Sequence, residues 1–471
     1  MADKIYDVAI VGSGPAGYTA AIRAGQFGLK TALIEKDSVL GGTCLHVGCI
    51  PTKALLFNAE IYDHLKDAAE FGIVGLGTPK LNWPKIQDRK DKIVTKHTKG
   101  LDFLMRKNKV EVIRGYGKLT GPAKNGVVTV EIENNGTKSQ VQAKNVLLAS
   151  GSEARMISGL KPDDRILTNI EILGIKEIPK SLIVVGSGAV GVEFASIYNS
   201  FGTKVTVVEM LPRIVPVEDE EVSKELARNY RKRGIEVLTS AAVTKVEKTK
   251  TGVAVDVEVD GKSQRLEADK VLIAIGRRPR TENLGLEKTK IQTERGFILV
   301  NEWLQTDEPN IYAIGDIVFG YPQLAHSGSM EGMVAVAKIA GKPAKPLNPL
   351  RIPNCTYCHP EIGSVGLTEA KAREKGLDIK VGKFPFTANS RASIVGAHEG
   401  FIKVVSDAKY GEILGVHIIG PNATELIAES VAAMELEATV EDLMYTIHSH
   451  PTLSEGMRDA FESVYGLAID M

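Results

Sequence analysis

The chain has 471 residues, long enough for roughly three domains of about 150 residues each, and 43% of them are hydrophobic, which fills several cores and excludes disordered and fibrous classes. Lys plus Arg and Asp plus Glu both number 58. That balance argues against nucleic acid and against an anionic membrane surface as partners, leaving a small molecule or another protein. The charged start, Met1-Ala2-Asp3-Lys4, runs directly into a strand pattern without the apolar core of a signal peptide. No stretch reaches the roughly 18 apolar residues of a membrane helix. The chain therefore reads as a cytoplasmic protein of a reducing compartment, or as one of an organelle matrix if a transit peptide was removed.

Residues Asp7 to Val11 form a buried strand pattern, followed at once by Gly12-Ser13-Gly14-Pro15-Ala16-Gly17 and a helix pattern. Glycines at 12, 14 and 17 permit a tight turn and a close approach of backbone to a pyrophosphate at the helix N-terminus. The next strand, Thr31 to Ile34, ends in Glu35, whose carboxylate can accept hydrogen bonds from an adenosine ribose.

Cys44 and Cys49 follow within Gly41-Gly42-Thr43-Cys44-Leu45-His46-Val47-Gly48-Cys49-Ile50-Pro51-Thr52-Lys53. In one regular helix, five residues advance about 7.5 Å, whereas bridged Cα atoms usually lie within about 6.8 Å. A reversible dithiol here therefore requires the segment to loop before it coils, with a helix beginning close to Cys49. The helix dipole and Lys53, one turn on, would then favour a Cys49 thiolate. Two buried structural cysteines are the competing reading.

Residues 50 to 107 read as helical and 110 to 148 as short strands. The nucleotide pattern then recurs: Ser181 to Val185, Gly186-Ser187-Gly188-Ala189-Val190-Gly191, the strand Lys204 to Val208, and Glu209. Gly12 to Glu35 and Gly186 to Glu209 each span 23 positions. One such motif is weak evidence, but two in full strand, turn, helix, strand and acid context indicate two dinucleotides. Glu209 welcomes a free 2′-hydroxyl and repels a 2′-phosphate, favouring NAD over NADP, with Arg213 read as a solvated loop residue. Further on, 341–346 forms a linker, and Phe401 to Val405 and Leu414 to Ile419 are strands before a helix that places Ile427, Val431 and Met434 on one face.

These features, with Ala149-Ser150-Gly151, Ala274-Ile275-Gly276-Arg277-Arg278-Pro279, Ile311-Tyr312-Ala313-Ile314-Gly315-Asp316 and His448-Ser449-His450-Pro451-Thr452-Leu453-Ser454-Glu455, resemble the class I pyridine nucleotide-disulfide oxidoreductases over essentially the whole chain. Within that family the likeness is greatest to the branch that oxidises dihydrolipoyl groups. The resemblance implies an α/β fold of two Rossmann-like domains, for FAD and NAD, plus a C-terminal α+β dimerisation domain. Its implied boundaries are 1–150 for FAD, 151–278 for NAD, 279–349 completing the FAD domain, and 350–471 for the interface.

The first cradle, with Gly42, Thr43, Lys53, Gly117, Ser150, Gly151, Asp316 and Ala325, resembles the FAD site, and Gly186, Gly188, Gly191, Glu209, Gly276 and Arg277 the NAD site. By the same resemblance, Cys49 faces the flavin, Cys44 exchanges with substrate, Glu193 pairs with Lys53, and His450 with Glu455 forms an acid–base dyad contributed by the other subunit. The implied activity is NAD-linked, flavin-dependent reoxidation of protein-bound dihydrolipoamide by a homodimer serving lipoyl domains of 2-oxoacid dehydrogenase complexes or the glycine cleavage system. A glutathione- or mercuric-type reductase is the alternative. Glu209 opposes the first, and Ala468-Ile469-Asp470-Met471 lacks the cysteine pair of the second.

Two departures stand out. Ser150 stands where Thr is commoner in the family, and Cys355-Thr356-Tyr357-Cys358 adds a second cysteine pair. Zinc would want two further ligands, with only His359 adjacent, so no metal is expected and the pair reads as reduced thiols of a packed strand.

Overall fold

The computed structural model describes residues 4–470, so Met1-Ala2-Asp3 and Met471 lie outside the described residues. The chain forms two compact units, one made of residues up to Ala54, 87–155 and 277–349, the other of 55–86, 156–276 and 350 onward.

The first unit is built on a seven-stranded sheet. Its main order is Glu111–Arg114, Thr31–Glu35, Ile5–Val11, Thr137–Leu148, Val128–Asn134 and Tyr116–Leu119, with Ile311–Ala313 also paired to Thr137–Leu148. Alternation along Ile5–Val11 explains how it is buried on both faces. Val8 and Ile10 join Leu33 in one apolar cluster, while Ala9 and Val11 join Ala32 and Ile34 in another. Helices Pro15–Gln26 and Ala325–Ile339 meet through small residues: a Cβ on Gly332 would lie 2.8 Å from the Ala16 carbonyl oxygen.

The second unit holds a parallel sheet in the order Glu236–Leu238, Lys204–Val208, Ser181–Val185, Lys270–Ile273 and Ile166–Leu167. A three-stranded antiparallel layer, Ala241–Lys248, Val253–Val259 and Lys262–Ala268, packs on it through Val253, Val255 and Val257. The C-terminal part is a five-stranded antiparallel sheet in the order Asn354–Thr356, Glu361–Gly366, Ile413–Gly420, Phe401–Asp407 and Ile379–Pro385. Helices Ala423–Glu435 and Glu455–Ser463 cover one face; Ile427 and Met434 are buried there, with Val431 packed at the edge.

Three expectations need correction. Residues 50–107 are not continuously helical: helices Cys49–Lys66 and Trp83–Lys107 flank 72–82, where Gly72, Gly75 and Gly77 all have left-handed φ, which a helix cannot accommodate. Nor are the strands between 110 and 148 all short. Thr137–Leu148 has 12 residues because its first half pairs antiparallel with Val128–Asn134 and its second half parallel with Ile5–Val11. The dithiol segment is likewise more helical than foreseen, as described below. Among the described residues, no helix is long and apolar enough to cross a membrane.

Candidate active site

The first glycine motif is closed behind and open in front. A Cβ on Gly12 would lie 2.2 Å from the Ala149 carbonyl oxygen, and one on Gly17 would lie 1.9 Å from that of Gly12, so both positions exclude a side chain. Nothing lies within 4 Å of a Cβ on Gly14, which caps helix Pro15–Gln26 without a side-chain bond to its first-turn N–H groups. Gly42 packs its backbone against Gly14, where a Cβ would be 2.7 Å from the Gly14 Cα. Such a bare turn fits a pyrophosphate. Glu35, 6% exposed, is fixed beside it: its Oε2 accepts from Ser13 N at 2.8 Å and Ser13 Oγ at 2.6 Å, and its Oε1 from Asp37 N at 2.8 Å.

Asp316, next to Gly315, whose Cβ position is 3.0 Å from the Ala16 side chain of the same motif, accepts through Oδ2 from the Ser152 hydroxyl and lies 4.0 Å from Arg277 Nε. Arg277 also donates from Nε to Ser152 Oγ at 2.7 Å and from Nη2 to the Ser152 carbonyl at 2.9 Å. The preceding Gly315 donates its N–H to Glu331 Oε2 at 2.6 Å. Ser150 donates to the Arg280 carbonyl at 2.6 Å, and the Gly151 carbonyl accepts from Arg280 N at 2.8 Å. Gly117 is packed tightly, its Cβ position 3.1 Å from Ile34 and 3.2 Å from Val11, while Ala325 begins its helix. Sequence reasoning missed Ser152 and Glu331. Glu331 was detectable as the lone acid in the small, apolar helix Ala325–Ile339; Ser152 had no signal beyond its closeness to Gly151.

Cys44 lies in a short helix, Gly42–Val47, with Thr43 beside it; Gly48 breaks the helix at φ −148° and ψ −118°, and Cys49 begins helix Cys49–Lys66. The expected loop is thus a one-residue break between two helices. Thr52 secures it by donating from both N and Oγ1 to the Gly48 carbonyl, at 3.1 and 2.7 Å. Both cysteines are free, half-buried thiols. The break brings them into hydrogen-bonding contact, and that bond, with burial, raises the Cys44 pKa well above the ordinary thiol value, while the Lys53 charge acts in the opposite direction.

In the second unit the cradle is rebuilt. A Cβ on Gly186 would lie 2.4 Å from the Ala274 carbonyl oxygen, one on Gly191 would lie 2.0 Å from that of Gly186, and Gly188 and Gly276 face open space. Glu209 is 8% exposed, and its Oε2 accepts from Ser187 N at 2.9 Å and Ser187 Oγ at 2.7 Å. Arg213 is a loop residue with its side chain 36% exposed, as expected, and it makes a surface ion pair with Glu220 Oε1 at 2.8 Å and a bond to the Pro216 carbonyl at 3.2 Å. Glu193, 4% exposed, accepts from Tyr357 N at 2.9 Å.

His450 is exposed, with Nδ1 2.9 Å from Glu455 Oε1, and Glu455 opens helix Glu455–Ser463. Cys355 lies in strand Asn354–Thr356, and Cys358, 1% exposed, has its thiol pKa raised by burial and then by the Glu193 charge. Both are free thiols, and among the described residues no group of three or more His, Cys, Asp or Glu is arranged to hold a metal ion.

Residues 6–332 match the pyridine nucleotide-disulphide oxidoreductase family, and residues 352–461 match that family's dimerisation domain. Dihydrolipoyl dehydrogenase of Bacillus subtilis is 46% identical over 98% of this chain and 99% of its own, and that of Rhizobium etli is 46% identical over 99% of each. Among solved structures, LpdA of Mycobacterium tuberculosis superposes with a TM-score of 0.89 at 29% identity, covering 97% of this chain and 98% of that one. The HOCl-induced flavoprotein disulfide reductase RclA of Escherichia coli gives a TM-score of 0.84 at 26% identity, covering 97% and 99%. Doubled cradles, a dithiol and a C-terminal pairing domain thus have a common explanation in descent: the chain belongs to the pyridine nucleotide-disulphide oxidoreductases.

Proposed function

We propose that this family member reoxidises dihydrolipoyl groups carried on proteins, with FAD in the first cradle and NAD in the second. The observation that carries the reading is the Cys44 and Cys49 thiol pair, held in contact within the unit whose glycine turn fits a dinucleotide. Residues 1–150 and 279–349 form the FAD domain in this reading, 151–278 the NAD domain, and 350–471 the homodimer interface. Exposed Leu436, Tyr445 and Ile447 in that last part, Ile447 at 96%, are the kind of apolar surface that a second copy covers.

The dithiol begins the cycle as a disulfide. A substrate thiolate attacks the Cys44 sulfur, forming a mixed disulfide and releasing Cys49 as thiolate. The second substrate thiol closes the lipoyl disulfide and releases Cys44, so the substrate loses two electrons and the cysteine pair gains them. His450 of the partner subunit takes the proton from the attacking thiol and returns one to Cys44. The hydrogen bond with Cys49, with burial, raises the Cys44 pKa and favours its keeping that proton, while the Lys53 charge acts the other way. Glu455 keeps the imidazole oriented and balances its positive charge. Bound FAD supplies the path for two electrons from the dithiol to NAD. Lys53 and Glu193 belong to different units, and their pairing rests on the resemblance.

The partners are lipoyl domains of 2-oxoacid dehydrogenase complexes or the glycine cleavage system, and the setting is the cytoplasm. Purified protein should form NADH from dihydrolipoamide and NAD. Turnover of glutathione disulfide with NADPH, without dihydrolipoamide oxidation, would overturn the reading.

A further inference from the structure

The acid that faces each dinucleotide is held by the serine inside its own glycine motif, and in the second cradle that arrangement closes into a ring. Ser187 is fully buried and places both N–H and Oγ–H on one oxygen of Glu209, at 2.9 and 2.7 Å. The other oxygen, Oε1, accepts from Leu211 N at 2.8 Å, which begins the loop after the strand. That loop returns to its origin, with Val215 N donating to the Ser187 carbonyl at 3.1 Å. Val215 is 2% exposed and held at φ +40°, a conformation unfavourable for a β-branched residue. The strain is retained by its surroundings: Ser223 Oγ donates to the Ile214 carbonyl at 2.6 Å, and Glu218 N to the Val215 carbonyl at 3.0 Å.

The first cradle repeats the bonds with different residues. Ser13 gives N–H and Oγ–H to Glu35 Oε2, Asp37 N takes Oε1, and Gly41 N donates to the Ser13 carbonyl at 3.0 Å. The returning residue there is a glycine at φ +124°, and it leads into the dithiol helix instead of a closed loop. The serine hydroxyl is thus part of how each acid is set, independent of which dinucleotide it meets.

A carboxylate has about four acceptor positions. Ser187 consumes both on Oε2, and Leu211 consumes one on Oε1, so the remaining capacity and the negative charge are presented in one direction. We propose that Ser187 is the specificity-determining positioning residue of the second cradle: its hydroxyl fixes Glu209 so that the carboxylate meets the 2′ position of the adenosine ribose, and preference for NAD over NADP belongs to the Ser187, Glu209 and Val215 ring rather than to Glu209 alone. This rests on the proposed NAD site. Without the hydroxyl, Glu209 keeps the Ser187 and Leu211 amides, one on each oxygen, but loses the shortest of its three bonds, which loosens its aim at a 2′-hydroxyl and relieves its opposition to a 2′-phosphate.

The test is equilibrium binding of NADH and NADPH to the flavin-loaded dimer, measured by calorimetry for wild type, Ser187→Ala and Ser13→Ala. Ser187→Ala should raise the Kd for NADH about five- to tenfold and leave that for NADPH unchanged or lower. Ser13→Ala should keep the wild-type ratio of the two Kd values. An unchanged ratio in Ser187→Ala, including equal weakening of both nucleotides, overturns the inference and makes the hydroxyl structural. If Ser187→Ala does not fold, Ser187→Gly removes the same hydroxyl and keeps the amide. Wild type that binds neither nucleotide, or prefers NADPH, overturns the NAD site itself, an outcome separable from failure of the serine variant alone.

Discussion

Glu455 holds His450 from one side and the backbone from the other: its Oε1 is 2.9 Å from His450 Nδ1, while its Oε2 accepts from Thr452 N at 2.8 Å. Burial works against the charged form of Glu455, yet the Thr452 amide and the His450 ring together hold its pKa below the usual carboxylate value. The ring is therefore aimed by a carboxylate that cannot turn without breaking a backbone bond, which leaves Nε2 on the far side of the ring from Glu455.

Replacing His450 by Gln should lower dihydrolipoamide oxidation about 10²- to 10⁴-fold and leave NADH binding intact. Subunits carrying His450→Gln, mixed and refolded with subunits carrying Cys44→Ser, should regain activity that neither parent has, because one site of each mixed dimer is then free of both changes. Verified mixed dimers without recovery would place His450 and Cys44 of one chain in the same site.

The glycines separate folding from binding. Gly14→Ala and Gly188→Ala add a methyl where nothing lies within 4 Å, so each should fold with near wild-type circular dichroism and lose its dinucleotide. Gly17→Ala and Gly191→Ala place it 1.9 and 2.0 Å from a carbonyl oxygen and should reduce soluble yield and thermal stability as well. Flavin content and NADH binding, set against the melting temperature, distinguish the two classes.

Lys403 is 2% exposed and bonds three carboxylates: Asp219 at 3.0 Å, Glu221 at 2.9 Å and Glu369 at 2.8 Å. Burial opposes its charge, but bonds to Glu369, Glu221 and Asp219 raise its pKa, and the three carboxyl pKa values are lowered. Depressed carboxyl pKa values contribute stability that is present above the ordinary carboxylate range and lost as pH falls through the folded-state values. Lys403→Met should therefore cost about 3 kcal/mol near pH 7, since Asp219 is left buried without its cation, and markedly less near pH 3. Melting curves of both proteins at the two pH values check this; a gap that does not change with pH would refute the electrostatic account.

Cys355→Ser combined with Cys358→Ser should leave lipoamide turnover within a few-fold and bind no zinc. Metal analysis and steady-state assays decide it. A large loss of turnover in a folded variant would give this pair a redox role.

What could be read from the sequence was whatever is local. Both cradles were legible because glycine spacing and a terminal acid act within 23 positions, and the helix starting near Cys49 because Gly48 and Pro51 punctuate it. Lys403 was not: in Phe401-Ile402-Lys403-Val404 it looks like a strand's solvent face, and its burial depends on Asp219, 184 positions earlier. Ser152 and Arg277 are 125 positions apart, so their joint hold on Asp316 had no sequence signature. The double pairing of Thr137–Leu148 was hidden for the same reason, since its parallel partner is the strand beginning at Ile5.

Ser152–Ala154 and Arg277–Pro279 pair as a short antiparallel ribbon, with Arg277 opposite Ala154 and Pro279 opposite Ser152. The chain leaves and re-enters the first unit along these adjoining strands, so the 121 residues between Arg155 and Arg277 form an insertion with neighbouring ends. The ribbon anchors only one side of the excursion, since Asp219 is held by Lys403 and Glu193 by the Tyr357 amide of the C-terminal part, so a module grafted in place of 156–276 must match both the paired ends and these two acids to fold.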